Sequence, residues 1–170
     1  KMVKWLSKAD SYHGVFPHWY NGETGKTIPF SRKDDGADLV ESSFLLQGLL
    51  CVRQYFNKEN NTERELRNRI NWLWNDVEWD WFTRDGQEVL YWHWSPNNGW
   101  AMNFPLRGFN ECLITYVLAA SGSRYPVSNK VYNNGWAQSN FFKNGKTFYN
   151  YVLPLGLIMA GLYFSHTSPL

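Results

Sequence analysis

The chain has 170 residues, 44% of them hydrophobic and 19% charged, enough for one domain with a single buried core and the wrong composition for disorder or a fibre. A net charge of +2 excludes the strong basic field of phosphate-tracking proteins, so no nucleic-acid partner is expected, and two cysteines exclude a disulfide scaffold. Aromatic residues reach 18%, with ten Trp, ten Tyr and eleven Phe, more than a small core needs.

Residues 1–8 read as the tail of a helix with Met2, Val3 and Leu6 apolar, and residues 11–35 as loop, punctuated by Gly14, Pro17, Gly22, Gly25 and Pro29. A helix is predicted from Asp38 to about residue 56, apolar on nearly every side and so buried on most of them. The next opens with a capping box, Thr62-Glu63-Arg64-Glu65, and carries Leu66, Ile70, Leu73, Trp74, Val77 and Trp81 on one face. That contrast suits an inner helix paired with an outer one. Asp85-Gly86 predicts a hairpin over 82–90. Asn110 is expected to cap a third, largely apolar helix that runs to about Ala120 and ends at Gly122. A short amphipathic helix follows Pro126, with Val127, Val131 and Tyr132 inward, and stops at Gly135. A second tight turn is predicted at Lys143-Asn144-Gly145-Lys146. The apolar stretch at 152–164 is interrupted by Pro154, Gly156 and Gly161 and is too short for a membrane span. The chain starts without a secretion signal and stops in apolar sequence, as a piece of a longer chain would.

Two patterns carry chemistry. Asp34, Asp35, Asp38 and Glu41 place four carboxylates within eight residues at a loop-to-helix junction. A capping box accounts for Asp38 and Glu41 and leaves Asp34 and Asp35 unexplained. Crowded carboxylates repel, which favours the protonated form of at least one and suits a proton donor. Glu111 repeats the arrangement in the first turn of the third helix, where it either complements the helix dipole or faces Glu41 across a groove. Two carboxyl groups about 6.5–9.5 Å apart are what inverting glycoside hydrolysis uses. The run Tyr91-Trp92-His93-Trp94-Ser95-Pro96-Asn97-Asn98-Gly99-Trp100 mixes rings with polar groups and is better cleft material than core material.

Other patterns carry little. His13 and His18 lack zinc-ligand spacing, and no metal is expected. Cys51 and Cys112 lie in apolar helices, where free cysteine acts as a small hydrophobe. Residues 22–27 lack the spacing of a phosphate loop. Asn60-Asn61-Thr62 is a formal glycosylation triplet of a kind frequent by chance.

His13-Gly14-Val15-Phe16-Pro17-His18-Trp19, then Lys33-Asp34-Asp35-Gly36-Ala37-Asp38-Leu39-Val40-Glu41, then Gly108-Phe109-Asn110-Glu111 together resemble the glycoamylase-like family, whose hydrolases include the β-1,2-glucanases of glycoside hydrolase family 144. Leu153-Pro154-Leu155-Gly156 is similar to a further family segment. The resemblance implies a mainly α fold: residues 1–170 as one portion of an (α/α)₆ toroid with small β-hairpins in its connections, completed by the remainder of its own chain. It also implies hydrolysis of β-1,2-glucan with inversion, no cofactor, and export to the periplasm or cell exterior. Glu41 and Glu111 would flank the scissile bond, with Glu111 as the acid, while Asp34 and Asp38 hold water or substrate hydroxyls. Trp92, Trp94 and Trp100 would be sugar platforms, and His18, Trp19, Arg32 and Arg107 would bind glucose hydroxyls. Competing readings are the non-hydrolytic glucan-processing domain of cyclic β-1,2-glucan synthases, a catalytically silent glucan-binding module, and a protein-interaction scaffold.

Overall fold

A computed structural model describes residues 1–107, 110–137, 141–144 and 147–150. Among the described residues four α-helices form the frame: α1 (Met2–Leu6), α2 (Leu39–Tyr55), α3 (Asn61–Asp76) and α4 (Leu113–Ser121). Between them run antiparallel strand pairs, β1 (Trp19–Tyr20) with β2 (Thr27–Ile28) and β3 (Ala37–Asp38) with β4 (His93–Trp94), followed late in the chain by β5 (Phe141–Asn144) with β6 (Thr147–Asn150). The fold is mainly helical with small strand pairs in the connections. No helix among the described residues is long and apolar enough to cross a membrane.

Helix α2 starts as the sequence requires. Asp38 is its N-cap, with Oδ1 accepting from Val40 N at 3.1 Å and Glu41 N at 3.0 Å. The box is only half made, because the Asp38 N–H donates to Phe16 O and leaves the Glu41 carboxylate unused by the cap. Leu39, Val40, Leu46 and Leu49 turn inward onto α3 and α4, whereas Phe44, Cys51 and Tyr55 are exposed. The expected burial of α2 on most sides, and of Cys51 with it, is therefore corrected: one face is core and the other is open.

Helix α3 begins earlier than predicted. Asn60 caps it, accepting from Glu63 N at 2.9 Å, while Glu63 Oε1 accepts in return from Asn60 Nδ2 at 3.0 Å. The box is Asn60–Glu63, and Glu65 pairs instead with Arg69 one turn on. The helix stops at Asp76. Val77 and Trp79 are buried in the connection that follows, and Trp81 opens a single 3₁₀ turn, Trp81–Thr83. No hairpin forms over 82–90. Arg84, Asp85 and Gly86 all adopt positive φ, as a tight turn demands, but Thr83 closes the loop on itself by accepting from Gly86 N and Gln87 N.

Helix α4 is led by Cys112, whose N–H donates to Asn110 Oδ1 at 3.0 Å, and it ends at Gly122 as expected. The predicted helix after Pro126 is a π-helical stretch, Val131–Trp136, with Val127 and Val131 buried. It runs through Gly135. A Cβ there would lie 2.7 Å from Tyr116 Oη and 2.8 Å from Glu88 O, so this glycine admits a close approach and does not end the helix. The second predicted turn agrees with β5 and β6, whose register pairs Asn144 with Thr147. Gly108, Phe109 and residues 151–170 lie outside the described residues, and with them part of the Gly-Phe-Asn-Glu motif and all of Leu153-Pro154-Leu155-Gly156.

Candidate active site at the start of α2

The site is built by a short strand pair. Residues 37–38 run antiparallel to 93–94, with Ala37 opposite Trp94 and Asp38 opposite His93, and Leu39 N donates to Trp92 O. Gly36 makes this approach possible, since a Cβ there would sit 2.4 Å from Trp94 O. The pairing brings the carboxylates of one motif onto the ring-rich run of the other, a contact between residues more than fifty positions apart.

Asp38 is fully buried. Beyond the two helix amides, its Oδ1 accepts from Trp92 Nε1 at 2.8 Å, and His18 Nδ1 lies 2.8 Å from its Oδ2. Four donors meet one carboxylate. Asp34 is buried as well, and its Oδ2 lies 3.3 Å from His93 Nδ1, a close approach without hydrogen-bond geometry. His93 was not singled out in the sequence, although it stood inside the ring-rich run.

Asp35 turns away from this pair. It accepts from Ser95 Oγ, from Asn97 Nδ2 at 2.7 Å and from Asn98 Nδ2 at 3.2 Å, clasping the 34–36 loop to the 95–98 loop. Burial pushes its carboxyl up, but the Ser95, Asn97 and Asn98 bonds outweigh it and hold the group below its ordinary range. The four-carboxylate crowding expected at this junction is therefore divided: Asp34 and Asp38 face histidines, Asp35 faces amides, and Glu41 is exposed with no side-chain partner among the described residues.

Asp34, Asp38 and His93 bring one ligand atom each within 4.8 Å of one another, the spacing of a metal group. The surroundings oppose a cation there. Asp38 already satisfies four donors, and the positive end of α2 adjoins it. The trio reads better as paired histidines and carboxylates.

Glu111 is exposed immediately before α4, and α4 packs on α2. Cys112, fully buried between them, reports the neighbourhood. Burial pushes its thiol up to about 12, and the charges of Glu111 and of Asp38 push in the same direction. The two helix starts thus share one electrostatic neighbourhood.

The candidate ring residues fall into three groups, of which Trp92 with His93 and Phe104 is the third. His18, Trp19 and Phe30 form one, with His18 4.1 Å and Trp19 4.9 Å from Phe30, and Trp19 is half exposed. Phe30 was missed because it stands alone in a loop. Trp94 and Trp100 belong to a second group around Trp81, which stacks on His13 at 3.7 Å. This group borders an open cleft of about 270 Å³ lined also by Glu78, Asp80, Asp85 and Tyr125. Arg32 is exposed, and Arg107 donates to the carbonyls of Asn134 and Gly135.

Comparison with known proteins agrees with the motifs. The glycoamylase (glucoamylase) family profile matches residues 103–170. An exo β-1,2-glucooligosaccharide sophorohydrolase acting at the non-reducing end, from Parabacteroides distasonis, is 43% identical over 99% of this chain and 26% of its own length. The endo-β-1,2-glucanase of Chitinophaga pinensis, solved with sophorotriose and glucose, is 50% identical with a TM-score of 0.80 over 88% of this chain and 36% of that one. A β-1,2-glucanase structure from Parabacteroides distasonis gives 49% and 0.78 over 80% and 20%. The chain thus spans about a quarter of the curated relative. In motif, sequence and structure alike, the chain is similar to the glycoamylase-like family.

Proposed function

We propose that this protein hydrolyses β-1,2-glucan or its oligosaccharides with inversion, and that residues 1–170 supply one portion of an (α/α)₆ toroid completed by the rest of its chain. Glu41 and Glu111 are the two working carboxyls, one as acid and one activating water. The observation that carries the reading is the contrast at the two adjoining helix starts: Glu41 and Glu111 are exposed, while Asp34 and Asp38 are buried against histidines. Exposed carboxyls can reach a substrate; buried ones hold the frame. The relatives' names, a sophorohydrolase and β-1,2-glucanases, supply the substrate class. His18 and Trp19, backed by Phe30, border the same helix start and are the first sugar contacts to test. Action in the periplasm or outside the cell fits a polymeric substrate and is part of the proposal.

Full-length protein incubated with linear β-1,2-glucan is expected to release short sophoro-oligosaccharides. Glu41→Gln and Glu111→Gln should each lower the rate by about 10²–10⁴, the contribution of a positioned acid or base. Glucan bound without release of reducing ends, in wild type and variants alike, would sink the reading and favour a binding module.

A further inference from the structure

Trp92 suits a sugar platform by composition, but in the structure it is partly buried among other rings. His93 lies parallel to it at 5.7 Å and 9°, and Phe104 meets it edge-on at 5.3 Å. What Trp92 presents is its indole N–H, 2.8 Å from Asp38 Oδ1. That same oxygen accepts from the backbone N–H of Glu41 at 3.0 Å. Asp38 is completely buried and cannot touch a substrate in this arrangement.

We infer that Trp92 is a positioning residue, acting through Asp38 on the place of Glu41, and that its role is the N–H donor and not the ring face. The chain of contacts is short. The β3–β4 pair sets Asp38 opposite His93, the neighbour of Trp92, and Leu39 N bonds Trp92 O, so the indole is anchored by its backbone to the same turn it serves. Its N–H and His18 fix the two oxygens of Asp38 separately, which leaves the carboxylate no free rotation about its last torsion. A carboxylate fixed in this way holds the first amides of α2 in one orientation, and Glu41 leaves from the second of them.

The inference rests on the proposal that Glu41 takes part in hydrolysis, and the experiment separates the two. In the full-length protein, with sophoro-oligosaccharide as substrate, Trp92→Phe keeps an aromatic face and removes the donor. It should lower kcat about tenfold to a hundredfold, the worth of one hydrogen bond to a charged acceptor, and leave KM within about twofold. A second variant guards against misfolding: the benzothienyl analogue of tryptophan at position 92, with sulfur in place of the indole N–H, keeps the shape and should show the same fall. A raised KM with kcat unchanged would make Trp92 a platform and overturn the inference. So would wild-type kinetics in either folded variant. If Glu41→Gln is inactive while both position-92 variants are normal, positioning alone fails; if Glu41→Gln is fully active, the functional reading fails with it.

Discussion

The starts of α2 and α4 solve the same problem differently. Each is a helix N-terminus with an acid in or just before its first turn. At α2 the cap is a buried carboxylate met by four donors drawn from the helix, from Trp92 just before β4 and from the 13–18 loop, so three stretches of chain converge on Asp38. At α4 the lead residue is Cys112, which has no side-chain cap bond of its own, and its N–H is met by Asn110 alone. The first start is cross-linked and the second is lightly tied. An acid–base pair has use for both, since one carboxyl must be held to a fixed place while the protein accommodates leaving group and product around the other.

The comparison breaks most directly at Asp38. Asp38→Ala orphans four donors in a dry site and should cost about 3 kcal/mol or more, read as a lower denaturation midpoint of the full-length protein, with activity lost. A loss below 1 kcal/mol would mean that α2 begins no more firmly than α4. Gly36→Ala comes next. Its Cβ would overlap Trp94 O, forcing β3 off β4, and about 2 kcal/mol of stability should go with the strand pair. Because that pair aligns Asp38 with Trp92, kcat should fall too.

Much of this was legible in the sequence. Asp38 announced its helix by residue type and by the apolar run behind it, and the Asp-Gly and Asn-Gly pairs marked real turns or strand ends. Among the described residues, the motifs at 13–19 and 33–41 fall where the structure gathers polar groups. What the sequence hid were the long-range pairings. Nothing local in His93 or Trp92 says that they lie against a carboxylate more than fifty residues earlier, because a two-residue strand has no periodicity to read. The α3 boundary failed for a different reason: Asn60 is as good a cap as Thr62 and stands two residues sooner. The exposed face of α2 could not be told from its core face, because Phe44, Cys51 and Tyr55 lie on the open side while Ser42 and Ser43 are buried.

A smaller effect sharpens the role of Asp35, the motif aspartate that faces neither histidine. Its folded pKa is lowered from an ordinary value of 3.8. A depressed carboxyl contributes stability above the unfolded pKa and loses it as pH falls through the folded one. Asp35→Ala should therefore cost about 1 kcal/mol near neutral pH, modest because Asn97 and Asn98 are exposed. The gap between wild type and variant should close as pH drops below 3.8. A gap that stays constant down to pH 2 would mean that the clasp draws nothing from the charge.

The smallest perturbation tests the lightly tied start without altering it. Cys112 is buried between Glu111 and the α2 cap, with its thiol pushed up to about 12. At pH 8 only about one Cys112 in ten thousand is then a thiolate, the form that alkylating reagents attack. Iodoacetamide should leave Cys112 unmodified in the native full-length protein and label it after denaturation, with mass spectrometry of the peptides as the readout. Labelling of native Cys112 at a rate near that of free cysteine would place the thiol in solvent. The buried thiol would then no longer link Glu111 to Asp38, and the pairing of Glu111 with Glu41 would lose that support.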